Sequence, residues 1–221
     1  MTFIDHIFAC MAAPVLLGMF CAGKRFRADF IYVLAGMTAC LLSAYINSFF
    51  AGLYGADMVT ATAEITPVVE EIMKLLPLIF YLLVFEPKSE RAQIAAIVIA
   101  ISFAMFENIC WLVDNGTGQL DFLLLRGFST GAMHVACGAV VAGGLVYVWR
   151  TPWLKVAGTF GLLGAAVTFH AMYNLLIGSG GAAQTFGYIM PIAAVSLGII
   201  LVKLMRARRK PNNTNLPDRP V

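Results

Sequence analysis

Seven apolar runs, each about twenty residues long, most constrain what this chain can fold into. They lie near 3–22, 30–50, 66–85, 93–113, 122–149, 154–177 and 187–204. A helix needs about 20 mostly apolar residues to cross the hydrocarbon core of a bilayer. Only 12% of the 221 residues are charged, against roughly 25% in soluble domains. The sequence therefore predicts an all-α, polytopic membrane helix bundle of about seven transmembrane helices.

The distribution of basic residues predicts how these helices are oriented. Thirteen of the fifteen lysines and arginines fall on one side of the predicted membrane, and the opposite loops carry only acids. Cytoplasmic loops are enriched in Lys and Arg, so we expect an extracytoplasmic N-terminus and a cytoplasmic C-terminus. Residues 1–205 form one transmembrane domain in this interpretation, and residues 206–221 form a basic, polar cytoplasmic tail. Such a tail suits anionic lipid, and we expect no nucleic-acid partner.

The third apolar run, TPVVEEIMKLLPLIFYLLVF, carries Glu70, Glu71 and Lys74 in its first half. A charged side chain near the bilayer centre costs at least about 2.5–3.5 kcal/mol, so such residues face a bundle interior or a water cavity and mark function. The other ionisable side chains within or at the edge of spans are Glu107, Arg126, His134 and His170.

Four of these groups are predicted to lie at one depth. Each is 15 or 16 residues from a charge at the cytoplasmic end of its own span: Glu71, Glu107, His134 and His170. At about 1.5 Å per residue they lie roughly 22–24 Å above the inner boundary. In a core about 30 Å thick this is some 6–8 Å below the outer surface. A shared site near the extracytoplasmic face would require this arrangement.

Local spacing favours convergence of the same side chains. Residues three or four positions apart share a helix face. Such pairs are Glu70–Lys74, Glu71–Lys74, Phe103–Glu107 and His170–Asn174. Asn108 offers an amide that can hold a carboxylate through hydrogen bonds. Arg126 is either an interfacial residue that extends toward water or a partner for one of the acids.

A purely structural interpretation remains open for some of these residues. Thr66 and Pro67 look like a helix N-cap followed by proline at the first helical position, which would make Glu70 and Glu71 acids favoured by the helix dipole. This interpretation does not explain Glu107, which lies near the C-terminal end of its span. A single buried histidine is also more often a core residue than a catalyst, but a common depth argues for a shared site.

The residue types suit hydrolysis. Burial raises the pKa of a carboxyl group and a neighbouring cation lowers it, so a glutamate pair beside a lysine is a pattern suited to a tuned general base. Imidazole and carboxamide groups such as His170 and Asn174 can stabilise an oxyanion when water attacks a carbonyl. The pattern predicts a carboxylate-activated water that cleaves an amide within the membrane.

Four motifs resemble a known family in their order along the chain. EEIMK at 70–74, FAMFEN at 103–108, RGFSTGAMH at 126–134 and HAMYN at 170–174 are similar to the EExxK, FxxxEN, Arg-to-His and HxxxN motifs of the PrsW family of intramembrane proteases. That family is distantly related to the CAAX-prenyl endopeptidase and bacteriocin-processing superfamily, which has His where this chain has Glu107. The resemblance covers about half the chain.

The resemblance implies a glutamic-type peptidase of the bacterial inner membrane that cuts a membrane-anchored protein, such as an anti-sigma factor, on the extracytoplasmic side. It implies that Glu70 is the base, with Glu71 and Lys74 as electrostatic partners. His170 and Asn174 would be the oxyanion donors, and Glu107 and His134 would complete the pocket. Phe103, Asn108 and Arg126 are the expected supporting residues. No cofactor is expected in this interpretation.

Other interpretations stay open. In a metal-dependent protease, zinc or another divalent ion would be bound by Glu71, Glu107, His134 and His170. The sequence has no HExxH motif, and Lys74 next to the acids disfavours a divalent cation. A proton-coupled transporter is a second alternative, although a relay would place ionisable groups at several depths. The third alternative, a scaffold without activity, predicts that Glu70→Gln leaves function intact.

Overall fold

The chain is helical throughout the part that the structure, a computed structural model, describes: residues 3–86, 88–116 and 118–209. In chain order the elements are α1 (Ile4–Cys21), α2 (Lys24–Tyr54), the one-turn α3 (Met58–Thr60), a π-helix (Ala61–Ile65), α4 (Thr66–Phe85), α5 (Ser89–Asn115), α6 (Leu120–Val148), α7 (Pro152–Gly178) and α8 (Gly181–Arg209). No strand occurs in these ranges. The predicted all-α class is confirmed.

Within the described residues, six of the seven long helices have the length and composition to cross a membrane: α1, α2, α5, α6, α7 and α8. The seventh, α4, is 20 residues long and carries the three ionisable residues noted above. A polytopic helix bundle is therefore what the chain forms. The last helix is longer than predicted and continues to Arg209, so the predicted tail begins inside α8. Residues 210–221 lie outside the described residues.

Helix α6 lies at the centre of the bundle, where it packs against α5, α7 and α8. Helix α5 packs against both α6 and α2, and α4 contacts α2, α5 and α7. Helix α1 is peripheral, with only Ala12 buried. The four helices that carry the predicted site residues thus form a closed ring of neighbours, in which α5 and α7 each pack against both α4 and α6.

Small residues permit the close approach of these helices. A Cβ atom at Gly36 of α2 would lie 2.3 Å from the carbonyl oxygen of Ile99 in α5. At Gly138 of α6 it would lie 3.3 Å from the carbonyl oxygen of Ala96. Such contacts bring backbones together and are typical of membrane helix interfaces. They fix α5 between α2 and α6, with Glu107 and Asn108 near its C-terminal end.

Two apolar clusters hold the bundle together. The larger cluster lies among α4, α5, α6 and α7 and includes Leu75, Leu78 and Leu145. The smaller cluster joins α1, α2 and α5 around Phe103 and Phe106. Large apolar side chains also cover the outside of the helices. An apolar exterior is expected for helices surrounded by lipid tails, and it leaves the buried polar residues as the feature that requires explanation.

Candidate active site in the bundle interior

The π-helix leads directly into the first turns of α4. The amide of Thr66 bonds to the carbonyl of Ala61, which is the wide i to i+5 pattern. In that pattern the carbonyl of Thr62 would accept from residue 67, but Pro67 has no N–H. Asn174 of α7 supplies the missing donor, with its Nδ2 atom 2.9 Å from the Thr62 oxygen. The proline and the asparagine together fix how the chain enters the site.

This geometry corrects the interpretation of Thr66 as a helix N-cap. Ala61, Ile65 and Thr66 all have right-handed helical backbone angles, so helical backbone runs from Met58 into α4. The true cap is Asp57, whose carboxylate accepts a hydrogen bond from the Thr60 amide at 2.7 Å. That bond lowers the pKa of Asp57. The glutamate pair therefore does not lie at a free helix N-terminus, and the dipole does not account for it.

Lys74 connects the glutamate pair to α6. Its Nζ atom donates to Glu71 Oε1 at 2.6 Å and to His134 Nδ1 at 2.7 Å. All three side chains are buried. Because Nδ1 accepts from the ammonium group, Nε2 carries the proton of a neutral His134. The i,i+3 pair with Glu71 forms, and the lysine serves Glu71 rather than Glu70.

The chain of contacts continues from His134 to α5. His134 Nε2 lies 2.7 Å from Glu107 Oε2, and Arg126 approaches the other oxygen of Glu107 at 3.7 Å. Arg126 also donates to Asn108 Oδ1 at 2.5 Å and to Thr130 at 3.3 Å. Of the two interpretations of Arg126, the acid partner is the one observed. Asn108 holds the arginine rather than a carboxylate.

Aromatic rings enclose the centre of this network. Phe103 is fully buried, and its ring centroid lies 5.0 Å from that of His134 and 5.0 Å from Lys74 Nζ. A cation over a ring face is stabilised by the ring quadrupole. The rings of His134 and His170 meet edge to face at 5.2 Å. These contacts restrict the orientation of both imidazoles.

Glu70 and His170 approach each other without a hydrogen bond between them. His170 Nδ1 lies 2.7 Å from Glu71 Oε1, so this nitrogen carries the proton and Nε2 of a neutral imidazole has a free lone pair. Nε2 faces Glu70 Oε2 at 3.9 Å. That oxygen is buried and has no hydrogen-bond partner among the described residues. With Glu70 ionised, two acceptors thus face each other, and no donor among the described residues lies between them.

The local charges show the same imbalance. The network holds three carboxylates, those of Glu70, Glu71 and Glu107, and the two cations Lys74 and Arg126. Glu71 contacts Lys74, and Glu107 contacts Arg126. A buried polar group without a partner is costly, so the space between Glu70 and His170 suits a water that donates to both, or a cation.

A metal ion fits this donor set. The ligand atoms of Glu70, His134 and His170 lie within 4.8 Å of one another, and a carboxylate with two imidazoles suits zinc. His170 also bonds through its second nitrogen to the Glu71 carboxylate, which is the usual surrounding of a metal-binding histidine. His134 has both nitrogens engaged, so it would join the ion only by exchanging Lys74 or Glu107. The metal-binding set predicted from the sequence was therefore only partly right: both histidines belong to the observed set, but its carboxylate is Glu70 and not Glu71 or Glu107.

The structure brings six of the seven residues predicted to be catalytic into one connected cluster. They are Glu70, Glu71, Lys74, Glu107, His134 and His170. Asn174 lies beside the cluster, with one amide hydrogen on Thr62. Thr130 and Tyr173 were not among the predicted site residues, yet they hydrogen-bond to each other at 3.0 Å next to Arg126. Both lie inside quoted motifs, so a polar residue within an apolar motif was the available signal.

Comparison with known proteins identifies the family. The family described as "PrsW family intramembrane metalloprotease" matches residues 12–203. The chain belongs to this family. Neither the curated proteins nor the solved structures compared with the chain give a match. This PrsW-family chain is accordingly an intramembrane protease and a peptidase, which places it among hydrolases rather than transporters.

Proposed function

We propose that this chain is an intramembrane endopeptidase that cleaves a membrane-anchored protein with a water held between Glu70 and His170. The observation that carries the proposal is that the buried Glu70 Oε2, which has no hydrogen-bond partner among the described residues, faces His170 Nε2 at 3.9 Å. A water in that space donates both its hydrogens and turns its lone pairs toward an incoming carbonyl. Bond polarisation of this kind is what a general base provides.

The proposed reaction follows from these positions. The water oxygen attacks the peptide carbonyl carbon while Glu70 takes one proton, and the carbonyl oxygen becomes an oxyanion. Glu70 then returns the proton to the leaving amide nitrogen, the C–N bond breaks, and an acid and an amine result. His170 orients the water through Nε2, and Glu71 holds the imidazole in the required tautomer. Glu71 therefore acts through His170, and Lys74 acts through His134.

Asn174 is the proposed oxyanion donor. A carboxamide has two N–H donors, and the bond to Thr62 uses one of them. The second hydrogen of the same nitrogen remains for a substrate oxygen, and the Thr62 bond fixes the direction in which it points. Preorganised donors of this type stabilise the charge that develops in the transition state. Glu107 and His134 complete the pocket by holding Lys74 in place.

A metal-dependent form of the same reaction is the second candidate, favoured by the donor set of Glu70, His134 and His170 and by the family's description as metalloproteases. A bound zinc ion would lower the pKa of water and polarise the carbonyl. Metal analysis of the purified protein separates the two forms. About one equivalent of zinc, lost together with activity in a chelator and restored by zinc, supports the metal form. Full activity of metal-free protein supports the carboxylate form.

Comparison of protein termini in cells tests the activity itself. Membrane proteins are compared from cells that express the wild type, Glu70→Gln or Glu64→Gln at equal abundance. Glu64 is an exposed acid in the π-helix and serves as the matched control. We expect a single-span protein, of the anti-sigma-factor type, to be cut near the extracytoplasmic surface with wild type and Glu64→Gln and to accumulate intact with Glu70→Gln. Identical profiles for all three would contradict the proposal and favour a scaffold without activity.

A further inference from the structure

A cavity lies between α4, α5, α6 and α7, away from the glutamate cluster. Its volume is about 370 Å³. It opens at what we call the basic end of the bundle, the end that carries Lys88, Arg91, Arg150 and Lys155. Along α4, its lining starts at Leu78, one turn beyond Lys74, and continues to Glu86. The active-site cluster and this cavity therefore share the same helices but no residue.

The floor of the cavity is apolar. Leu78 and Leu145 are buried in the bundle and line its inner wall, and Leu82 and Val146 continue the same faces of α4 and α6. The volume is more than ten times what a single water needs. An apolar recess of this size suits several methylene groups rather than ordered water.

The rim is cationic. Arg150 and Lys155 line the mouth, and neither forms an ion pair within the described part of the chain. Lys155 lies 5.8 Å from the ring of Trp149, and Arg150 lies 5.8 Å from that of Tyr147, so both retain their N–H donors. Glu86 is the single acid in the lining. The lining thus carries two cations and one anion.

We propose that this cavity binds an anionic glycerophospholipid. The phosphate would lie between Arg150 and Lys155, and an acyl chain would pack against Leu78, Leu82 and Leu145. Basic pockets between membrane helices recognise anionic headgroups by this combination. Because α4 and α6 form its walls and also carry Lys74 and His134, an occupied cavity stabilises the packing on which the active site depends.

Thermal unfolding of the purified full chain in neutral detergent tests the proposal. Phosphatidylglycerol and phosphatidylcholine with the same acyl chains are titrated separately, and inorganic phosphate serves as the probe that has no acyl chain. We expect phosphatidylglycerol to raise Tm well above the effect of phosphatidylcholine, because binding to the folded state alone stabilises it. Inorganic phosphate should have little effect. Equal shifts from the two lipids, or a full shift from phosphate alone, would overturn the proposal.

Two variants and a control locate the site. Arg150→Gln/Lys155→Gln should weaken the apparent affinity for phosphatidylglycerol by about tenfold or more, since each cation contributes to headgroup binding. Lys88→Gln/Lys203→Gln removes two exposed cations outside the cavity lining and should weaken it much less. Leu83→Trp, at an exposed position of the lining, should reduce lipid binding by filling the recess. Equal losses from the two double variants would mean general attraction to the membrane and would contradict the proposal.

Discussion

At the scale of single residues, the adjacent glutamates Glu70 and Glu71 have opposite surroundings. Glu71 accepts hydrogen bonds from Lys74 and His170, both within 2.7 Å. Glu70 has a buried oxygen without a partner in the described part of the chain. Consecutive side chains on a helix differ in direction by about 100°, which lets one carboxylate face the lysine while the other faces the free nitrogen of His170. Their substitutions should therefore behave differently.

We expect Glu70→Gln to abolish cleavage and leave the unfolding temperature unchanged or higher, because it removes a buried charge without leaving a cation unpaired. Glu71→Gln should lower the free energy of unfolding by about 3 kcal/mol, because Lys74 is left buried without its counter-ion. Thermal unfolding of both purified variants measures the difference. Equal destabilisation by the two substitutions would contradict the assignment.

The pair of Glu71 and Lys74 gives a second test. Glu71→Gln/Lys74→Met removes both charges and should recover most of the stability that Glu71→Gln loses, because a buried pair replaced by neutral groups leaves no isolated charge. Cleavage should nevertheless be lost, since His134 Nδ1 no longer accepts a hydrogen bond from Lys74 and His170 no longer has the Glu71 carboxylate as its partner. A double variant as unstable as the sum of its single variants would argue against the pair.

The sequence predicted the members of the cluster but not their separate roles. Ionisable residues in apolar spans identified Glu70, Glu71, Lys74, Glu107 and the two histidines, because burial of such groups requires partners. Which carboxylate Lys74 would contact depends on the side-chain conformations that the rotation of α4 within the bundle imposes, because that rotation decides which neighbours each side chain meets. That rotation is set by packing against α2, α5 and α7, which a single sequence does not show.

At the scale of elements, the entry into α4 is the feature that the sequence analysis misjudged. Thr66-Pro67 is typical of a helix start, but here it follows a π-helix that lies in continuous helical backbone. Proline removes one donor from the wide turn, and Asn174 replaces it from α7. Over these residues the sequence pattern of a capped helix start is the same as that of a proline within a helix, and the helical backbone angles before Thr66 distinguish the two.

A pair of substitutions tests this arrangement. Asn174→Ala should lower the free energy of unfolding by about 1–3 kcal/mol, because the Thr62 carbonyl loses its donor. Pro67→Ala supplies a backbone N–H at the position where that carbonyl would accept it. Pro67→Ala/Asn174→Ala should therefore be more stable than Asn174→Ala alone when unfolding is measured in the same detergent. If the double variant lost as much stability as the two single variants together, the proline and the asparagine would not serve the same carbonyl.

At the scale of the whole molecule, the number of long helices was predictable and their packing was not. Apolar runs of membrane length located all seven, with ends that differ by a few residues, since helices continue into the interface where composition becomes polar. The central position of α6 depends on close contacts such as Gly138 against Ala96. A glycine in the sequence indicates that another helix can approach closely, but it does not predict which helix that is.

The proposed orientation has its own test. Alkaline phosphatase becomes active only where its disulfides can form, outside the cytoplasm. A fusion after Gly118, in the loop between α5 and α6, should be active, and a fusion after Thr151, beside Arg150 at the basic end, should be inactive. This result would place the glutamate cluster nearer the extracytoplasmic face. The reverse pattern would put the cluster near the cytoplasm and contradict the positive-inside assignment.

The central claim is that the carboxylate of Glu70 activates the water that cleaves the substrate. The most direct measurement is the initial rate at which purified protein in lipid vesicles cuts the substrate identified from cells, compared among the wild type, Glu70→Gln and Glu64→Gln at matched unfolding temperature. The account predicts a loss of at least about a hundredfold in Glu70→Gln, in the range of general-base catalysis, and a wild-type rate in Glu64→Gln. A folded Glu70→Gln variant that cleaves at the wild-type rate would contradict it.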